Sequence, residues 1–316
     1  MDIGVSTAER RVLEQLRVTA TGLPTLPGVV TRIIQVVNDD AASANDMVNV
    51  IQRDPALAAK LLRVANSPIY GSRRGVETLQ QAVVRLGQAA TQNLALSFSL
   101  VSALKMQSEG ELDYAFYWRR CLLSASAAKY VAAKKRPADA EALFLASLMQ
   151  DLGMMVLDKV FPATYRQLPF SQSDHARLVA HENQLCRATH PRVGAWMMEE
   201  WGFSERMQSA VAYSHSPLDL PAGDGEFVRC VALSARMADV LLADDNERDM
   251  SDLFAIASQW LALDKEDVAE IIQALVKTVP AFERMFDTLL LDQEKLELLT
   301  LMAREKLDEL RADSPD

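Results

Sequence analysis

The residues of this chain best suited to chemistry are Asp151, His190 and His215, with His175 and His181 nearby in sequence. Imidazole nitrogens and a carboxylate oxygen are donors that hold zinc and related divalent ions. A bound ion of this kind lowers the pKa of water or polarises a phosphoryl group. All five residues fall in predicted helices or at their ends, where a bundle can bring them around one pocket. Each also has an ordinary structural reading: a single histidine in a helical chain is commonly a surface or hydrogen-bonded structural residue. Asp151, two residues before Gly153, suits a helix end. Spacing alone therefore does not establish a site. His181-Glu182 opens like the zinc-protease pattern HExxH, but Leu185 stands at the second histidine position, so the pair makes no zinc site. The sequence contains no GxxxxGK phosphate loop, no GxGxxG and no GxSxG elbow.

Positioning such residues requires helices, and the composition supplies them. Of 316 residues, 49% are hydrophobic and 24% charged, the balance of a folded chain. Gly and Pro number only 12 each and aromatics make up 6%, too few turn residues for a sandwich or barrel. Abundant Ala, Leu, Glu, Gln and Met lose little on entering a helix, so the fold class expected is all-α. At about 100–200 residues per domain, the length suits two domains or one with a large extension. Ser43 with Asp46, and Thr78 with Gln81, have capping-box spacing, and Asp54-Pro55 predicts a helix to about Asn66. Gly71 to Gly75 reads as a loop, and Leu86-Gly87 ends a short helix. Helical spacing then runs from Tyr114 to about Val131. Pro137 to Asp139 starts a helix that stops near Gly153, and Ser173 or Asp174 caps one toward Cys186. Pro191 opens a helix that ends at Trp201-Gly202, and Ser204 caps one reaching His215. Leu218 to Gly225 reads as a linker, followed by about three amphipathic helices restarting near Ser251, Asp264 and Pro280.

These residues carry a resemblance. Leu23-Pro-Thr-Leu-Pro27, then Asp54-Pro55 with Leu57, Leu61, Leu62 and Asn66-Ser67, then Leu86-Gly87, resemble the opening half of the HDOD domain. Glu182, His190 with Val193-Gly194, Trp201-Gly202 and His215 resemble its later half. The resemblance covers about residues 20–218. It implies an all-α, two-part helical bundle: an N-terminal subdomain over 20–110 and a degenerate HD-like subdomain over 111–218. An N-terminal helix over 1–19 and an acidic helical extension over 219–316 flank it. HDOD domains are regulatory modules of bacterial signalling, distantly related to the metal-dependent HD phosphohydrolases. HD hydrolases hold metal through an early histidine, a His-Asp pair and later histidine or aspartate ligands. Here the pair reads Gln150-Asp151, the early histidine falls where the chain has Arg119-Arg120, and Ser214 precedes His215. The resemblance thus implies a vestigial pocket of Arg120, Gln150, Asp151, Glu182, His190 and His215, with no catalytic residue, no metal and no cofactor. An arginine turned inward, Arg120 in preference to Arg119, would pair with Asp151 in place of the ion. The alternative is that both arginines face solvent.

Charge and cysteine usage bound the partners. Residues 1–220 carry 23 basic and 21 acidic side chains, and residues 221–316 carry 10 basic and 22 acidic, a net −12. Without a basic stripe, nucleic-acid binding is not expected. Cys121, Cys186 and Cys230 are odd in number and widely spaced, a reducing intracellular pattern. The stretch Leu86 to Leu104 lacks charge but holds Gln88, Thr91, Gln92, Asn93, Ser97, Ser99 and Ser102, so it reads as a buried helix and not a membrane span. No export signal opens the chain. The expectation is a cytoplasmic, non-catalytic signalling protein whose partners are other signalling proteins, such as a receiver, a kinase or a cyclic-nucleotide enzyme acting in trans. Two rivals are a residual metal-dependent phosphohydrolase or phosphodiesterase, and a nucleotide or anion sensor using Arg119, Arg120 and His190.

Overall fold

Local capping chemistry sets several helix starts. Ser43 and Thr78 each accept from the backbone N–H three residues on, and Asp46 and Gln81 reach back to complete both capping boxes. Asp54 accepts from the amides of Ala56 and Leu57 ahead of a helix that has Pro55 at its first position. The computed structural model describes residues 26–39, 41–70, 75–108, 110–166, 168, 174–243 and 246–312. The expected helix over 1–19, Leu23 to Thr25 of the LPTLP segment, most of the expected loop at 71–75, and Ser173 lie outside the described residues.

The helices are α1 (Gly28–Val37), α2 (Ala44–Ile51), α3 (Pro55–Ala65), α4 (Leu79–Leu86), α5 (Gln88–Lys105), α6 (Tyr114–Lys135), α7 (Ala140–Met149) and α8 (Leu152–Val160). They continue as α9 (His175–Cys186), α10 (His190–Glu200), α11 (Glu205–Ala212), α12 (Gly225–Leu242), α13 (Asn246–Leu261), α14 (Lys265–Phe286) and α15 (Gln293–Ala312). No strand occurs among the described residues. The chain is therefore all-α, as its composition predicts.

The uncharged stretch after Leu86 forms α5, whose residues from Leu94 to Leu104 are almost all buried against α1, α3 and α7. The segment Pro137–Val160 is apolar and long enough by composition to cross a membrane, but 83% of its apolar window is buried inside the fold. Helix α6 is the axis, with α7, α12 and α14 packed along it. Asn66 ends α3 and clamps the chain ahead: its side-chain amide donates to Val76 O at 2.8 Å, and its carbonyl accepts from Val76 N at 2.7 Å.

Three expectations need correction. Gly153 does not stop a helix. The helix begun at Ala140 ends at Met149, and α8 starts again at Leu152 with Gly153 inside it. Residues 225–312 form four helices, not three, and Pro280 lies within α14 and does not open a helix. An interior proline costs about 3 kcal/mol. Continuing past it buries Phe282 and Phe286, which stack on Phe144 at 6.0 and 5.9 Å, and burial of two such side chains recovers about 3–6 kcal/mol. The expected linker is also tied down. Asp224, at its end, is paired by Arg136 at 2.9 Å and by Arg206 at 3.2 Å, and α12 then packs on α6 and α7.

Candidate functional site

The break between α7 and α8 leaves Asp151 at a helix junction, fully buried. Helix α6 delivers Arg120 to it, and α12 delivers Asp239. The Arg120 guanidinium donates from Nη1 to Asp151 Oδ2, from Nε to Asp239 Oδ1 at 2.7 Å and from Nη2 to Asp239 Oδ2 at 3.3 Å. Arg120 is only 2% exposed. A planar fork that satisfies two buried carboxylates is a task for arginine and not for lysine. Arg119, the neighbouring candidate, lies outside this pair, 5.9 Å from the ring of Phe116.

The second oxygen of Asp151 faces three imidazoles. His215 Nε2 lies 3.2 Å from Oδ1, His190 Nε2 lies 3.6 Å away and His175 Nδ1 lies 3.9 Å away. His175 and His215 stack at 4.4 Å, with His190 edge-on to both. His190 begins α10, where the first backbone amides have no intrahelical partner. The buried Glu182 of α9 fills that need, accepting from His190 N at 2.7 Å. The same carboxylate lies 2.8 Å from His190 Nδ1 and accepts from the Tyr165 hydroxyl at 2.6 Å. A carboxylate on Nδ1 fixes the tautomer that leaves Nε2 free toward Asp151. Buried His175 Nε2 has no hydrogen-bond partner.

Glycine makes this convergence possible. A Cβ on Gly153 would lie 2.0 Å from the His190 carbonyl oxygen and 2.7 Å from Gly194 N. Only a residue without a side chain lets α8 approach α10 this closely, and that approach sets His190 beside Asp151, two residues before Gly153.

Burial and charge perturb the titrations. Burial alone raises the Asp151 carboxyl, but Arg120 and the facing histidines outweigh it and hold the pKa well below the usual carboxylate range. Asp239, on the same guanidinium, is raised because burial prevails. Burial, assisted by the Arg120 charge, lowers His175 well below its usual value, and burial lowers His215 to about 4.

Both histidine shifts leave the unfolded chain with more protons at mildly acid pH, so their contribution to stability is present above about pH 6.5 and is lost as pH falls toward 4. In chelator-treated protein, His215→Gln is expected to flatten the stability profile between pH 6.5 and 4 by about one proton, roughly 1.4 kcal/mol per pH unit. Urea midpoints of both proteins across this range test the expectation, and parallel profiles would refute it. The opposing contribution of Asp239 is common to both and cancels.

Of the six residues expected in the pocket, Arg120, Asp151, Glu182, His190 and His215 come together. Gln150 makes no hydrogen bond to them: its amide nitrogen donates to Ser124 Oγ at 2.6 Å, and its Oε1 is buried without a hydrogen-bond partner. Two further members were not in the expected set. His175, named with the candidate histidines but left out of the expected pocket, sits at the start of α9. Asp239 is a lone carboxylate among buried Met237, Ala238, Val240 and Leu241, and an acid on an apolar helix stripe is the signal that could have pointed to it.

A metal held in the HD manner does not fit this chain. Arg120 has no lone pair to offer where the early histidine would stand, and Gln150 offers only a neutral amide oxygen in place of an imidazole. A different set does converge: one ligand atom from each of Asp151, His175, His190 and His215, all within 4.8 Å of one another.

A family model described as the HDOD domain matches residues 23–217. The chain is similar in structure to an HDOD domain protein of unknown function from Geobacter sulfurreducens, with 21% identity and a TM-score of 0.71 over 87% of this chain and 97% of that one. It is also similar to a Shewanella amazonensis protein named as a candidate phosphohydrolase, with 23% identity and a TM-score of 0.68 over 88% and 98% of the two chains. A Marinobacter aquaeolei protein named as a candidate signal transduction protein gives 25% identity and a TM-score of 0.64 over 89% and 65%. In sequence, the chain is 21% identical over 218 residues to an uncharacterised protein of Treponema pallidum; the match covers 68% of this chain and 42% of that protein's length.

Proposed function

Because the chain belongs to the HDOD domain family, we propose that it is a regulatory module of signal transduction that acts by binding other proteins and turns over no substrate. The observation that carries this reading is Arg120, buried between Asp151 and Asp239. Hydrolysis by an HD enzyme needs an ion that activates water, and this side chain places a fixed positive charge against the carboxylate that would bind that ion. Asp239 and one oxygen of Asp151 are spent on the guanidinium.

The partners in this reading are other signalling proteins such as a receiver, a kinase or a cyclic-nucleotide enzyme supplied in trans. The net −12 of residues 221–316 favours a basic docking face on such a partner, by steering at long range. No separable tail carries that charge, because α12 and α14 also pack on α6.

The test is an assay of the full chain against a generic phosphodiester and a panel of nucleotides, each with magnesium, manganese and zinc. No turnover above the blank is expected with any ion. Metal-dependent hydrolysis that disappears in Asp151→Asn would overturn the reading.

A further inference from the structure

Helices α3 and α14 meet along a cleft of about 470 Å³ whose charge is mostly positive. Lys60, Arg63 and Ser67, at spacings of three and four residues, share one face of α3 and its end. Arg284 and Asp287 line the α14 side, and Val64 and Met285 add apolar wall. The volume is that of a small-molecule site.

The cations of this cleft are set apart by having no partners. The chain has 43 acidic side chains to 33 basic ones, and Lys129, Lys134, Arg136 and Arg206 each hold a carboxylate at 2.6–2.8 Å. Among the described residues, none of Lys60, Arg63 and Arg284 pairs with a carboxylate. Lys60 lies instead over the ring of Phe98, 5.9 Å from its centroid. A further cation, Lys105, donates to Thr288 Oγ1 beside Asp287. Burial lowers the Lys105 pKa, Asp287 opposes the shift and the Lys60 charge adds to it, so Lys105 lies within the field of the cleft. Ser67 adds a hydroxyl that is shielded from water and has no hydrogen-bond partner. Its hydrogen can rotate to suit an acceptor.

We propose that this cleft binds the phosphate group of a small phosphomonoester. Three cations against one carboxylate leave the lining at a net +2, and a phosphomonoester above its second pKa of about 6 carries about −2. A carboxylate ligand would leave half of that charge unmet. The two guanidiniums offer paired N–H donors that suit phosphate oxygens, and Lys60 adds a point charge. The organic part of the ester lies on Val64 and Met285. Neither Asp151 nor its histidines take part.

The cleft joins two parts of the chain, since α3 belongs to the matched residues 23–217 and α14 lies beyond them. A ligand that holds both helices stabilises their packing by mass action. Occupancy of the cleft thus sets how firmly the C-terminal helices are held on the HDOD domain, an input suited to a regulatory module.

The test is calorimetric titration of the full chain with phenyl phosphate, inorganic phosphate and benzoate at about pH 7.5, where the phosphates are dianionic. One phenyl phosphate per chain is expected, bound about 10-fold or more tightly than benzoate and displaced by inorganic phosphate. Its affinity should fall as salt rises from about 20 to 200 mM. Arg63→Ala and Arg284→Ala should each weaken it about 10-fold or more, the loss of a charge-assisted hydrogen bond. Asp287→Asn should tighten it about 2–5-fold, because a repelling charge is removed. Asparagine also suits the left-handed backbone at that position, where φ is 50°. Arg177→Ala, an exposed arginine on α9 outside the cleft, should bind as the parent does. No binding of phenyl phosphate below about 10 mM, equal affinity for benzoate, or no displacement by inorganic phosphate overturns the proposal. So does an affinity unmoved by both arginine variants, or one that Asp287→Asn fails to tighten. The parent's choice between phenyl phosphate and benzoate decides even if a variant fails to fold.

Discussion

Replacing Arg120 by alanine should destabilise chelator-treated protein by about 3–5 kcal/mol, the cost of removing one member of a buried charge group. The substitution leaves buried Asp151 without its guanidinium and Asp239 with only the half-exposed Arg236, 3.5 Å away, as counter-charge. Arg120→Lys should recover little, since an ammonium is a point charge and cannot reproduce a fork spanning two carboxylates. A triple variant, Arg120→Met with Asp151→Asn and Asp239→Asn, should instead regain most of the loss, because no unpaired charge remains. Urea unfolding of the three proteins separates these cases. A change below about 0.5 kcal/mol for Arg120→Ala, the range of ordinary surface substitutions, would show that the triad carries no weight.

Gly153→Ala is expected to rival it. The new methyl would meet the backbone oxygen of His190 at 2.0 Å, and backbone cannot turn aside as a side chain can. Helices α8 and α10 must then part, drawing His190 away from Asp151. Overpacking of this kind costs about 3 kcal/mol or more, against which alanine's better helix propensity returns at most about 1 kcal/mol. Gly194→Ala supplies the internal comparison. Its Cβ would meet the Cγ1 of Val211 at 2.9 Å and the backbone nitrogen of Gly153 at 3.2 Å, both looser than the 2.0 Å contact, so a smaller loss of about 1–2 kcal/mol is expected. Unfolding midpoints should rank parent, Gly194→Ala, Gly153→Ala. If Gly153→Ala unfolds with the parent, the close α8–α10 contact is wrong.

How far the sequence alone reached depended on whether each feature is local. The capping boxes at Ser43 and Thr78, the Asp54-Pro55 start and the Asn66 stop involve partners within a few residues, so residue type and spacing were enough to place them. The all-α class followed from composition for the same reason, since helix propensity is a property of each residue in its own turn. A helix end near Asp151 was legible, but the helix that restarts at Leu152 was not, because Gly153 is a sound helix-stop signal by local rules. Its actual role is a contact with His190, thirty-seven residues away in the chain. Pro280 misled in the same manner, since the burial of Phe282 and Phe286 against Phe144 outweighs a local penalty.

The site divides along the same line. The sequence by itself marked Asp151, His190 and His215 as ligand-type residues and, through the HDOD resemblance, suggested that an arginine had come to face Asp151. Only the tertiary structure decided that this arginine is Arg120, that it bridges to Asp239 across 119 residues of chain, and that Gln150 turns away to Ser124. It also decided that His175 completes the ring of imidazoles. Spacing along a helix reports which side chains share a face, but pairing between α6, α8, α9 and α12 is set by how their apolar stripes pack, and a carboxylate in such a stripe shows its partner only when the helices meet.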